Sequence, residues 1–265
     1  MTPEQFTLRR RALSDRLLAA LIRSFSRLSS WRSSAAWVTQ AVPMVQGAQR
    51  QLAALTAVYI ADRTSAALGR PVGPPGIPDT AAINLRSGVD VRDVYHRPFV
   101  TVYNGLARGE TLPRAVELGA SRATQIAEMD LQSTYAHSSR AAMQQMPAAG
   151  RPSAWRRVLQ GEESCALCVL ASTQRYRIET LNPIHPGCDC AIAPLYGDQS
   201  RQVIDPNLAT DLHDAVRNLL GVSDAGARTP DYRQVMVSAT AEHGELGTLL
   251  VRPRDKFTSA ADLPN

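Results

Sequence analysis

TLPRAVELGASRATQIAEMDLQSTYAHSSRAAMQQMP, residues 111–147, reads as one long helix. Thr111 is a side-chain cap ahead of Pro113, which suits a first turn because its missing N–H has no partner there. Ala and Arg recur through the stretch and lose little on entering a helix. Pro147 stops it. The spacing predicts a helix from about Pro113 to Met146, which at ~1.5 Å per residue would run about 50 Å. A chain that commits so many residues to one helix belongs to the mainly α class.

The pattern extends upstream. Val91, Val94, Tyr95, Phe99, Val102, Tyr103 and Leu106 lie at helical spacing, with Pro98 as an expected kink and Gly109 as the stop. Before them, Gly69-Arg-Pro-Val-Gly-Pro-Pro-Gly-Ile-Pro78 is too rich in Pro and Gly for any helix interior. It reads as a joint after an N-terminal helical arm. That arm opens on Thr2-Pro3-Glu4-Gln5, a capping box with Pro at the first helical position. Leu13, Leu17, Leu21, Phe25 and Leu28 then recur on one face, and Arg9, Arg16, Arg23 and Arg27 form a stripe on another. The stripe is a solvated helix face or a surface for an acidic partner or nucleic-acid phosphate. A second helix is expected from about Ser33 to Leu68, interrupted near Pro43.

Downstream the character changes. All four cysteines fall within 26 residues, as Cys165-Ala-Leu-Cys168 and His185-Pro-Gly-Cys188-Asp-Cys190. Asp205-Pro206 is expected to cap a helix carrying Leu208, Leu212, Val216 and Leu219, stopped by Gly221. Val235–Val237 and Leu249–Val251 are short β-like runs that would pair as a hairpin or lie extended. The expected organisation is a helical arm (1–68), a linker (69–79), a long-helix region (80–150), a Cys/His zinc-knuckle module (151–198), a helix (199–222) and a tail (223–265). The fold class is mainly α: an elongated helical arm and long helices with a small zinc-knuckle-like α+β module and an extended C-terminal tail.

Composition narrows the function classes. The 265 residues carry a net charge of +5, and Lys256 is the only lysine among 29 basic residues. This balance permits contact with nucleic acid without requiring it. No run of 18 apolar residues occurs, so no membrane span is expected. The first residues lack the basic-then-apolar order of a signal peptide. Thiols of a protein that is not secreted stay reduced, which favours a metal over a pair of disulfides, the alternative arrangement.

Cys165, Cys168, His185, Cys188 and Cys190 are the candidate metal ligands. Two residues between Cys165 and Cys168 let both sulfurs face one ion, and Cys188 and Cys190 would point the same way in an extended strand. Five donors for four tetrahedral corners leave one to spare. Cys-rich ligation with no acid or base in register indicates a structural zinc, which would staple a small loop-rich module.

The long helix followed by C-x2-C and H-P-x-C-x-C resembles the phage head morphogenesis family of Mu F-like minor capsid proteins. The matching residues are Ala115–Met146, Glu162-Glu163-Ser164-Cys165-Ala-Leu-Cys168 and His185-Pro186-Gly187-Cys188-Asp189-Cys190, so the resemblance spans about residues 110–196. Asp189 stands where the family usually has Arg, so any contact of that Arg with an acidic partner or DNA would be absent or reversed here. The resemblance implies a portal- or capsid-associated virion component at the portal vertex or capsid interior. It would be assembled in the host cytoplasm, with the portal or major capsid protein as partner and packaged double-stranded DNA as a further contact. It implies no enzymatic activity.

Two other function classes are open. One is a zinc-containing DNA-binding protein acting in genome packaging or ejection, through the knuckle and the arginine stripe. The other is a zinc hydrolase or deaminase. His243-Gly244-Glu245 has the H-x-E form of the latter, but it follows the C-x2-C instead of preceding it. Asp211 and Asp214 read as a solvated helix face, His96 and His137 as packing or surface residues. Trp31, Trp37 and Trp155 are expected to be core or interface anchors.

Overall fold

A computed structural model describes residues 1–27, 34–80, 88–160, 163–183, 188, 190–197, 202–220, 236–238 and 249–251. The chain is mainly helical, as expected. It divides into two compact units, Met1–Arg151 with Glu179–Cys188, and Pro152–Ile178 with Asp189–Asn265.

The first unit is built from α1 (Pro3–Ser26), α2 (Ser34–Leu68), α3 (Val91–Ala107) and α4 (Leu112–Gln145). The helix starts follow their local chemistry. Thr2 closes a capping box with Gln5, Asp90 accepts from the Arg92 N–H, and Thr111 accepts from the Arg114 N–H. The long helix thus begins one residue before the expected Pro113 and ends one before Met146. Both α2 and α3 run through their prolines, Pro43 on an exposed side and Pro98 buried, so α2 is not interrupted at Pro43.

The expected arm is not a separate piece: α1 and α2 both pack on α4, and α2 packs on α3. The Pro/Gly stretch joins helices of one unit, with the Val72 N–H donating back to Ser65 Oγ at 2.9 Å. The physical reason is aromatic packing. Phe25 meets Trp37 edge-on at 5.2 Å and Phe99 at 5.1 Å, so α1, α2 and α3 share one core. Trp37 also donates to Ser24 Oγ at 3.0 Å, which satisfies its buried indole N–H. Close approach is permitted by Gly119 of α4. A Cβ there would lie 2.5 Å from Val102 Cγ2 and 2.9 Å from Phe25 Cε1.

A second aromatic group, Phe6 stacked on Tyr59 at 4.5 Å and beside Tyr135 at 5.2 Å, ties α1 to α2 and α4. Two buried polar pairs join helices of this unit. Tyr95 Oη donates to Asp130 Oδ2 at 2.8 Å, and Gln49 Nε2 to Thr134 Oγ1 at 3.0 Å.

The second unit is small and mixed. β1 (Ala154–Val158) lies between β3 (Arg175–Tyr176) and β4 (Ala191–Leu195), all antiparallel. β2 (Glu163–Cys165) pairs with β5 (Met236–Ser238), which pairs with β6 (Leu249–Val251). The two tail segments therefore pair as antiparallel strands and add to β2, so the described tail does not lie extended. Helices α5 (Ala166–Ser172) and α6 (Pro206–Leu220) share a core of Ala166, Val169, Leu212 and Val216. Asp205 Oδ1 accepts from the Leu208 N–H at the start of α6, as its Asp-Pro signal predicts. Trp155 stacks on Tyr176 at 4.8 Å and donates to the Arg177 carbonyl. No helix of the described residues is long and apolar enough to cross a membrane.

Candidate metal centre

Local structure places the cysteines before any metal is considered. Cys165 ends β2 and, in extended backbone (φ −68°, ψ 150°), occupies the cap position of α5. Cys168 follows in the first turn of that helix. Cys190 immediately precedes β4, which is held in the sheet by five register pairs to β1 from Ala154↔Leu195 to Val158↔Ala191. Cys188 lies two residues ahead. Its carbonyl accepts from Arg10 Nη1 at 3.2 Å and from Gln132 Nε2.

The sulfurs of Cys168, Cys188 and Cys190 all lie within 4.8 Å of one another. Each of these residues is 3% exposed, and none of the four cysteines forms a disulfide. A tetrahedral ion with metal–sulfur bonds of about 2.3 Å sets its sulfurs roughly 3.8 Å apart. The observed grouping is compatible with that after a small contraction. Three buried thiols in so small a volume are a soft donor set, suited to zinc and other thiophilic ions and unsuited to magnesium or calcium. The three residues can therefore hold a metal ion.

Cys165 is buried, 8% exposed, but does not belong to this group. Its knuckle spacing therefore does not by itself bring both sulfurs of the C-x2-C pair to the cluster. His185, the fifth expected donor, lies outside the described residues, as do Asp189 and Glu162. His243-Gly244-Glu245, Trp31 and Leu28 are also outside them.

The arginine stripe is exposed at all four positions, Arg9, Arg16, Arg23 and Arg27. Arg10, which periodicity did not single out, is instead buried at 7% exposure. Its guanidinium lies 5.1 Å from the centre of the Tyr135 ring and reaches the Cys188 carbonyl. A signal was available: Arg10 lies at helical spacing with Phe6, Leu13 and Leu17, on the apolar face of α1. His96 is half-buried on α3. His137 is half-buried on α4, with Nδ1 2.9 Å from Arg140 Nη2. Burial first, and the neighbouring Arg140 second, hold its pKa below the ordinary histidine value. Trp37 and Trp155 are core anchors, 2% and 1% exposed.

Comparison with family models, with curated proteins and with solved structures finds no match to this chain.

Proposed function

We propose that this protein is a non-enzymatic structural component of a tailed phage head, a minor capsid protein whose cysteine module is held by one structural zinc ion. The observation that carries the reading is the convergence of Cys168, Cys188 and Cys190. These come from the two sequence elements, C-x2-C and H-P-x-C-x-C, on which the resemblance to head morphogenesis proteins rests. Cys168, Cys188 and Cys190 would hold the ion, with a fourth donor from Cys165 or His185. Bound there, zinc would cross-link the first turn of α5 to the segment that leads into β4. The buried, all-sulfur character of the three grouped donors favours a closed structural site over one that keeps a position for water.

Virion location, at the portal vertex or capsid interior, and contact with portal or major capsid protein belong to the same proposal. Helical surface on residues 1–68 is the region to test for these contacts.

Metal analysis of the purified chain should find about one zinc per molecule, the stoichiometry of a single four-donor site. No metal, with all four cysteines in disulfides, overturns the zinc assignment. Deletion of the gene from its phage should yield defective heads. Normally assembled, infectious heads without the protein overturn the assembly role.

A further inference from the structure

Helix α1 carries two seams. Phe6, Leu13, Leu17, Leu21 and Phe25 are buried in the helical unit. On the opposite side, Leu8, Ala12, Asp15, Ala19, Ile22 and Ser26 follow one another at alternating steps of four and three residues. That alternation is the spacing of the a/d positions by which one helix seats another, and four of the six residues are apolar. At 3.6 residues per turn these six positions keep to one narrow stripe. Leu8 is 65% exposed and Ile22 43%, so two large aliphatic side chains of this stripe stand open. Ala12, Asp15 and Ser26 are exposed and Ala19 is half-buried.

The arginines complete the pattern. Arg9, Arg16 and Arg23 each follow a seam residue, Leu8, Asp15 and Ile22, and so occupy the flank that meets a partner helix in paired helices. Arg27 extends the row. None of the four forms an ion pair with a described residue; Arg16 Nε donates only to the Ala12 carbonyl of its own helix.

We propose that the outward seam of α1 docks an amphipathic helix of another protein whose flanking positions are acidic. Leu8 and Ile22 would pack into its apolar seam, and Ala12 and Ala19 would let the two backbones approach. The arginine row would pair with its carboxylates. A second copy of this chain does not fit. Antiparallel α1 helices set Arg9, Arg16 and Arg23 against one another; parallel ones set Arg16 against Arg11, Arg23 against Leu18 and Asp15 against its own copy, leaving the Arg9–Glu4 pair as the row's one carboxylate contact. A nucleic-acid duplex fits less well, because phosphate contact has no use for exposed Leu8 and Ile22. The inference is independent of the metal and of head assembly.

The test uses the full-length protein and labelled peptides of about three heptads, the length of the seam. One peptide has Leu at its seam positions and Glu at its flanks. A second has Lys at the flanks, and a third is a scrambled version of the first. A duplex of about 20 base pairs is the fourth probe. The Glu-flanked peptide should bind saturably, about tenfold or more tighter than the scrambled and Lys-flanked ones. Arg9→Glu, Arg16→Glu and Arg23→Glu together should transfer binding to the Lys-flanked peptide. Leu8→Asp with Ile22→Asp should weaken the Glu-flanked peptide about tenfold with every arginine present. Circular dichroism should be unchanged in both variants. Equal binding of the scrambled peptide, indifference to Leu8 and Ile22, or no binding of the Glu-flanked peptide overturns the proposal. Tighter, arginine-dependent binding of the duplex also overturns it and makes the face a nucleic-acid contact.

Discussion

Arg10 Nη1 donates a 3.2 Å hydrogen bond to the carbonyl oxygen of Cys188, 178 residues further along the chain. The same guanidinium lies against the ring of Tyr135, so a buried charge is held by a carbonyl and an aromatic face together. The bond fixes the peptide unit of one of the three grouped cysteines. Gln132 reaches the same carbonyl from α4. Arg10 thus positions the backbone that carries a donor without itself being one.

Arg10→Met keeps much of the buried stem and removes the charge and its donors. We expect a loss of about 1.5–3 kcal/mol, the range for hydrogen bonds to charged groups, read as a lower urea midpoint. Zinc content should persist in this variant while affinity falls in a chelator competition. An unchanged midpoint and unchanged affinity would show that the contact does not matter to either.

The cysteines are expected to differ. Cys168→Ser, Cys188→Ser and Cys190→Ser should each sharply reduce bound zinc, because each removes one of the three grouped sulfurs. Cys165→Ser should reduce it less if His185 is the fourth donor, and equally if Cys165 is. Metal analysis of the four variants, prepared side by side, separates these outcomes. Retention of full zinc by all three of the first group would exclude the cluster as the site.

Gly119→Ala tests the packing of the helical unit. The added methyl would lie 2.5 Å from Val102 Cγ2, well inside van der Waals contact, so α3 or Phe25 must shift. Overpacking of this kind costs about 1–3 kcal/mol. A thermal melt should show the loss, and Val102→Ala in the same chain should recover part of it by opening space.

His137 gives a pH-dependent signature. Its pKa lies below the usual 6.5, through burial first and Arg140 second. A depressed histidine pKa means that the unfolded state takes up the proton first. This group's contribution to stability is therefore fully present above 6.5 and is lost as pH falls from there through the lowered native value. NMR titration should place the His137 midpoint below 6.5, and Arg140→Ala should raise it only partly, because burial remains. Full return to 6.5 in that variant would make Arg140 the main cause instead.

Much of the helical architecture was legible from local patterns. The capping box at Thr2, the Thr111 cap with Pro147 beyond, and the Asp205-Pro206 start are each contained within a few residues, so the sequence sets these helix ends directly. The apolar face of α1 was equally legible at Leu13, Leu17, Leu21 and Phe25. The Pro/Gly stretch is non-helical, as its composition requires, but it does not divide the helical unit. A broken helix says nothing of whether its neighbours pack together, and the contact of Phe25 with Trp37 and Phe99 does.

Capping, periodicity and spacing act over a few residues, so the ends of the long helices and the confinement of the cysteines to two short elements are already written in the chain. That α1 and α2 belong with α3 and α4 emerges only when the chain is packed. The same holds for the grouping of Cys168, Cys188 and Cys190 without Cys165, and for the burial of Arg10 beside a solvent-facing Arg9. Those outcomes depend on which distant surfaces exclude water from one another and on which buried polar groups find partners there, and no local window of sequence contains both sides of such a contact.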